Sequence, residues 1–586
     1  MMLLGSLFAR WIHTDFGNTT VSEVAIFAGD GYQISAFVYM PEGVSAQNPA
    51  PGVAMFHGVN NSKEYMANTA LELARRGYVV VSADMTGHGS SNGANPDNGC
   101  GGPDTLTYLQ GLAEVDTSRI GLVGMSAGGF CAVSTAALSQ PDGYNSIFYM
   151  ESEANYPGPP IVEPYMGLRN MAFNIGTWTE LPVMIAVDKG TAADMSPALL
   201  PLFGTEGPIV PDQVYGSIAE GTARILYTPW EEHALSTDSV AAIGNTIDWM
   251  NATLGGGNGM GRGGQIWPLK LLGTTVALAG AFLFLFAMGG LLLRTRKFSS
   301  LVKPVPEYRG LTGGLWWVGA VVTTALGPLL YLWVWKHMFS TTWIDPNTLW
   351  PQSFTNIYMV WAVIVGVIAW ALIALNHYTV TKKQYATLEH YGIAEPGGGI
   401  DWSTVGRSLL FVFVALAPLY LLLAFIKGFW HVDFRMWVLN LQPMTSARWH
   451  AFFGYLVPFG IYFFAQGILF NGFLRWKKGK APQWQEMLVN SIMLTFGALV
   501  WVLILFVPLW AGGTIAFGSD ATTVIAAGLG GIYYLPLLVF WPLISCLYTF
   551  FFRKTGRIWV GAFMVTVYMV WTLAASGDFV VWRIIG

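Results

Sequence analysis

The sequence predicts two units of different class: an α/β domain with a mostly parallel sheet, then an all-helical domain that crosses a membrane. Three observations carry this. Between residues 21 and 250, short β-branched runs alternate with amphipathic stretches, the pattern of strands joined by crossover helices. Beyond residue 265, apolar stretches of about 20 residues follow one another, each long enough to cross a hydrocarbon core roughly 30 Å thick. Charge divides at the same place: 9 Lys/Arg stand against 25 Asp/Glu up to residue 265, and 21 against 9 after it. An acidic, water-facing unit therefore precedes an apolar one whose few charges are mostly basic. A charged fraction of only 11% over 586 residues argues against a purely soluble protein. The acidic half would repel phosphates, which argues against nucleic acid as a partner.

In the first unit, eight strands are expected at 21–27, 33–39, 52–56, 78–83, 120–124, 146–150, 183–187 and 224–227. The first two make a hairpin around Gly29-Asp30-Gly31. Helices are expected at about 63–76, 103–112, 126–138 and 238–251. The glycines from Gly255 to Gly264 predict a flexible linker, because so many cannot hold a regular element. The resulting organisation is an N-terminal stub over 1–20, the α/β domain over 21–254, the linker over 255–266 and the membrane domain over 267–586. Eight spans are expected near 269–293, 313–335, 354–375, 406–426, 450–474, 487–511, 526–550 and 558–579.

Lys and Arg concentrate in the odd-numbered connections between spans, 15 against 6 on the opposite side. The positive-inside rule makes those connections cytoplasmic and the acidic domain extracytoplasmic. The apolar run 3–12, interrupted by Arg10, is too short to span and reads as the end of an export segment or of a shortened ninth helix. Cys100, Cys131 and Cys546 match no metal-site spacing and read as small apolar packing residues. Polar groups in the spans are few: Gln466, Asn471, Asn376, His377 and Asp578. That scarcity favours an anchor or lipid-handling scaffold over an ion pump, although a transporter or channel with an accessory outer domain is the competing reading.

The chemistry centres on Gly124-Met125-Ser126-Ala127-Gly128-Gly129, directly after an expected strand and opening an expected helix. A nucleophilic serine there sits on a sharp strand-to-helix turn, and the flanking glycines let the backbones approach. The Ala127 N–H then faces a developing oxyanion at a helix N-terminus. His57-Gly58-Val59-Asn60 follows the third strand, and the Val59 N–H is the expected second oxyanion donor. Four histidines precede the linker: His13, His57, His88 and His233. Only His233 follows the last strand, so it is the expected base. The acid is expected after the 183–187 strand as Asp194, with Asp188 as the alternative. Asp84 and Asp212 are read as structural.

On these pieces, with Arg76-Gly77-Tyr78 leading to Asp84 and Gly87-His88-Gly89-Ser90, residues 21–250 resemble the α/β-hydrolase superfamily, in its serine esterase and dienelactone-hydrolase-like branch. The resemblance implies an eight-stranded α/β-hydrolase fold with Ser, acid and His on loops at the carboxyl ends of strands. Dienelactone hydrolases carry cysteine where Ser126 stands, which turns this chain toward serine chemistry. The membrane half resembles no recognised family. The expected function is a membrane-anchored serine hydrolase, or acyltransferase, acting on an ester or related small-molecule or lipid acyl substrate with no cofactor and no metal. Peptidase action is expected less, because propeller and charged terminus-binding elements are missing. No large cap is inserted; 151–181, including the stiff run 156–160, and 190–223 are expected to cover the site, with 195–203 apolar enough to line an acyl pocket.

Overall fold

The computed structural model describes the chain except residues 30, 94–95, 156–162, 256, 341–344, 519 and 581–586. Eight strands form one sheet: β1 (Thr19–Phe27), β2 (Gln33–Pro41), β3 (Ala50–Phe56), β4 (Val79–Ala83), β5 (Val115–Met125), β6 (Ser146–Met150), β7 (Met171–Asn174) and β8 (Arg224–Tyr227). Their order is β1-β2-β4-β3-β5-β6-β7-β8. β2 runs antiparallel to β1 and β4, and every pairing from β4 to β8 is parallel. This is the α/β-hydrolase architecture.

The central strands read as continuous apolar runs because both faces are covered. Along β3, Val53 and Met55 enter one core while Ala54 and Phe56 enter the other, the two-residue alternation of a pleated strand. The covering helices are α1 (Met2–His13), α2 (Ala67–Ala74), α3 (Gly102–Gln110), α4 (Ser134–Ser139), the one-turn α5 (Leu200–Phe203) and α6 (Val240–Leu254).

One expected strand is displaced. Residues 183–187 do not join the sheet; Pro182–Ile185 is a 3-10 turn ending in a left-handed Ala186, and β7 takes the seventh place. Pro182 offers no N–H to a ladder. The run is apolar for another reason: Leu181 and Met184 pack into the hydrophobic cluster of the membrane half.

That half holds α7 (Trp267–Leu292), α8 (Gly314–Ser340), α9 (Ser353–Asn376), α10 (Trp402–Phe425), the hairpin β9 (Phe434–Met436) and β10 (Leu439–Leu441), α11 (Ser446–Ile468), α12 (Gln483–Trp510), α13 (Ala521–Tyr534), α14 (Leu537–Thr555) and α15 (Trp559–Ser576). Among the described residues, eight helices are long and apolar enough to cross a membrane, so the chain reads as a multi-pass membrane protein. The stretch expected as one span over 526–550 is broken before Pro536, whose missing N–H interrupts the ladder. α13 is thereby a separate 14-residue apolar helix.

The N-terminal run is helical and lies on α7 with backbones in contact. A side chain at Gly5 would start 2.7 Å from Gly273 O and Ala277 N, and one at Gly273 would start 2.9 Å from Ala9 N. Small residues on both helices permit this close packing.

Two sequence expectations are corrected here. Cys100 and Cys131 form a disulfide across a separation of 31 residues, joining the segment before α3 to the helical turns behind Ser126; no local spacing signals such a pair. The glycine segment is strapped down instead of free. Arg76 donates to Gly261 O and Gly263 O at 2.9 Å, and Arg75 donates to Gly264 O at 2.8 Å. Glu72 organises the strap. Its Oε2 pairs with Arg76 at 2.8 Å and Arg75 at 3.0 Å, while Oε1 accepts the N–H groups of Ile266 and Trp267 at the start of α7, where a negative charge meets the positive helix end.

Glu72→Ala would take the carboxylate partner from the buried Arg76 and the part-buried Arg75 and the acceptor from two N–H groups, a loss of about 3 kcal/mol. The expected result is a lower thermal inactivation temperature and faster protease cleavage within 255–264. A variant as heat- and protease-resistant as the parent would contradict the strap.

Candidate active site

Strand register builds the site. Met125 pairs with Met150 at the carboxyl ends of β5 and β6, so the next residues, Ser126 and Glu151, leave the sheet side by side. Both are left-handed, with φ of 49° and 48°, a conformation that costs a side-chain-bearing residue about 1–2 kcal/mol. Surrounding bonds hold it. Ser126 N–H donates to Met150 O at 3.0 Å, and the Ser152 hydroxyl donates to Ser126 O at 2.6 Å. Glycine is required at the turn: a side chain at Gly124 would start 2.4 Å from Gly129 Cα. Ser126 is thus a strained strand-to-helix elbow, the geometry of a nucleophile.

The His57-Gly58 loop after β3 lies directly on this elbow. A Cβ at Gly58 would stand 3.1 Å from Ser126 Cβ and 2.9 Å from Met125 Sδ. Val59 follows, and Ala127 is the residue after the nucleophile, so the chain segments carrying both expected oxyanion donors flank Ser126. His57 itself is structural. Its Nε2 accepts Met85 N–H at 3.1 Å, so Nδ1 carries the proton and donates to Gly58 O at 2.7 Å. Burial, then His88, holds its pKa well below the ordinary histidine value. Asp84 is structural too, accepting from Lys63 Nζ at 2.9 Å and Ser90 N–H at 2.8 Å.

His233 follows β8 and shares one cleft with Ser126, Val59, Met125 and Tyr65. Its Nδ1 lies 3.4 Å from Glu151 Oε2. Its backbone N–H donates to Glu180 Oε2 at 2.6 Å. Glu151 is anchored in turn by Gly176 N–H, after β7.

The carboxylate beside His233 is that of Glu151, whereas Asp194 and Asp188, expected as the acid, are placed elsewhere. Asp188 is exposed. Asp194 sits on the turn Gly190–Met195, where its carbonyl accepts Ile209 N–H. The displaced strand accounts for the difference: the position after 183–187 follows a segment outside the sheet. The signal for Glu151 was local, an apolar strand of five residues followed at once by Glu-Ser-Glu. The run 195–203 also differs from expectation, since Leu199, Leu202 and Phe203 fill the domain core. The expected loop over 156–160 lies outside the described residues.

More buried carboxyls surround the base. Burial pushes Glu180 well above the usual carboxylate range. Burial and then the charge of Glu151 raise Glu231 to about 7, against its bonds to Ser236 and Asn174.

The profile of the X-Pro dipeptidyl-peptidase (S15) family matches residues 30–156, which include β2 to β6 and Ser126. Among solved structures, the hyperthermophilic esterase from the archaeon Pyrobaculum calidifontis is similar at 18% identity, over 42% of this chain and 90% of that one, with a TM-score of 0.29. The thioesterase domain from the curacin biosynthetic pathway is similar at 15% identity over 38% and 97%, with a TM-score of 0.26. A hypothetical protein from Pseudomonas aeruginosa is similar at 21% identity over 25% of this chain and only half of its own, with a TM-score of 0.21. No curated protein matches.

Two outcomes are expected. Glu151→Gln should slow acylation by an organophosphonate at least about a hundredfold while Asp194→Asn stays near the parent rate; a loss confined to Asp194→Asn would return the acid to Asp194. Glu231 has its folded pKa raised above the ordinary 4.5 to about 7, so its contribution to stability is full below the ordinary value and lost as pH rises through about 7. The thermal midpoint should fall across that window and Glu231→Gln should flatten the fall. An unchanged slope in the variant would refute the assignment.

Proposed function

We propose that the protein is a membrane-anchored serine hydrolase whose catalytic domain lies outside the cytoplasm, and that it cleaves an ester or related acyl substrate with Ser126, His233 and Glu151. The single observation that carries this reading is His233, which lines one cleft with the strained Ser126 and turns its other nitrogen to Glu151.

The chemistry follows from these positions. Ser126 Oγ forms a bond to the acyl carbon as its proton passes to His233 Nε2, and the charge that builds on the carbonyl oxygen is met by the Val59 and Ala127 N–H groups. Glu151 stabilises the imidazolium. The C–O bond then breaks, and the His233 proton goes to the departing alkoxide. Water or an alcohol, giving its proton to His233, then attacks the acyl carbon; the bond to Ser126 Oγ breaks and the His233 proton returns to Oγ.

Two observations support the extracytoplasmic side. The Cys100–Cys131 disulfide suits an oxidising compartment, and the Lys/Arg-rich connections belong to the cytoplasmic face. The S15 profile favours a second reading, an amide in place of the ester, which the same machinery would serve.

A fluorophosphonate probe should label the detergent-solubilised protein, and Ser126→Ala should abolish the label; labelling that persists in the variant would rule out Ser126. Acyl esters turned over faster than Xaa-Pro anilides would support the ester reading, and the reverse order would replace it with the peptidase one.

A further inference from the structure

The carboxyl edge of the sheet, where the catalytic loops lie, is covered by the membrane half. Leu529, Ile532 and Tyr533 of α13 and Val438 of the β9–β10 hairpin line the same cleft as Ser126 and His233. α13 touches both catalytic loops. The Tyr533 hydroxyl donates to Val59 O at 3.0 Å, and a side chain at Gly528 would start 2.6 Å from the carbonyl of Glu180, whose carboxylate holds the His233 N–H. Ser126 and His233 are left only 6% and 4% exposed.

The perimeter of this contact is polar. Arg435 donates to Ser62 at 2.8 Å and to Asn61, and Lys427 pairs with Glu64 at 3.0 Å. Arg448 donates to Gly89 O at 3.0 Å, Asp578 N–H to Asn60 Oδ1 at 2.9 Å, and Trp510 Nε1 to Glu232 at 2.7 Å. The interior is apolar. Ala234, beside the base, and Leu181 belong to one hydrophobic cluster with Leu529, Ile532 and the residues of the spans. A nucleophile, base and oxyanion donors therefore face a hydrocarbon wall that continues into membrane-crossing helices, behind a rim of ion pairs and hydrogen bonds.

We infer that α13 and the β9–β10 hairpin form the acyl side of the substrate site, and that the substrate is a lipid-borne acyl ester presented by the bilayer. This rests on the serine-hydrolase reading above and names its substrate class. The acyl chain lies along Leu529, Ile532 and Val438, placing the ester carbon at Ser126. An apolar chain loses nothing by leaving hydrocarbon for this wall, whereas a polar or charged substrate would have to shed its water there.

The test uses the full chain in phosphatidylcholine vesicles, with fluorogenic acetyl, octanoyl and palmitoyl esters as probes. Ile532→Trp, which fills the wall, should lower the palmitoyl-to-acetyl ratio of kcat/KM at least about tenfold. Leu529→Ala, which widens it, should raise that ratio, so the inference survives misfolding of either variant alone. Parent rates on the palmitoyl ester should follow its mole fraction in the bilayer. An unaltered ratio in folded variants that fluorophosphonate still labels, or rates that follow bulk ester concentration alone, would overturn the inference. Absence of labelling in the parent would instead overturn the hydrolase reading beneath it.

Discussion

The register between β5 and β6 is the constraint on which the site depends. Because Met125 stands opposite Met150, Ser126 and Glu151 are the first residues beyond a shared rung. A slip of one residue would turn every side chain of β6 to the other face and carry Glu151 away from His233. The bonds from Ser126 N–H to Met150 O and from Ser152 Oγ to Ser126 O hold both left-handed turns on one frame. The strain at residues 126 and 151 is thus borne by a sheet buried on both faces. It keeps Oγ at the sheet edge without reorganisation during reaction.

The second constraint is the contact between the two halves. Glu64 is buried, which alone would raise its pKa, yet Lys427, Lys63 and Arg435 hold it well below the usual carboxylate range. Two of those cations come from the membrane half. Removing one cation would weaken that compensation and leave the buried Glu64 with two partners. Arg448 repeats the arrangement, its guanidinium bonded to carbonyls of Ala574, Ala575 and Gly577 as well as Gly89. The catalytic domain is therefore bonded to the helices along its active edge as well as tethered to them through residues 255–266, and α1 and the strap around Glu72 add contacts at the start of α7.

Much of this was legible in the sequence where the signal is local. The elbow is read from glycines flanking Ser126 after a strand, and His233 from its place after the last strand. The eight apolar stretches are read from their length. The acid was not legible by the same route. The run 183–187 has the composition of a strand but begins after Pro182 and packs Met184 against the membrane helices, so the seventh strand is Met171–Asn174 and the carboxylate beside His233 lies earlier in the chain than the position expected for the acid. The disulfide and the strapped glycines escaped for a related reason: Cys131 finds Cys100, and Gly261 finds Arg76, only after the chain has folded back.

By itself the sequence determined the class of each half and the strand-elbow-helix at Ser126, because periodicity, turn chemistry and hydrophobic length act over a few neighbouring residues. Tertiary structure alone decided which carboxylate meets His233, which cysteines pair, and that α13 roofs the catalytic cleft. Those outcomes depend on strand register, on how loops fold back and on packing between distant segments, which a pattern of neighbouring residues does not rank against one another.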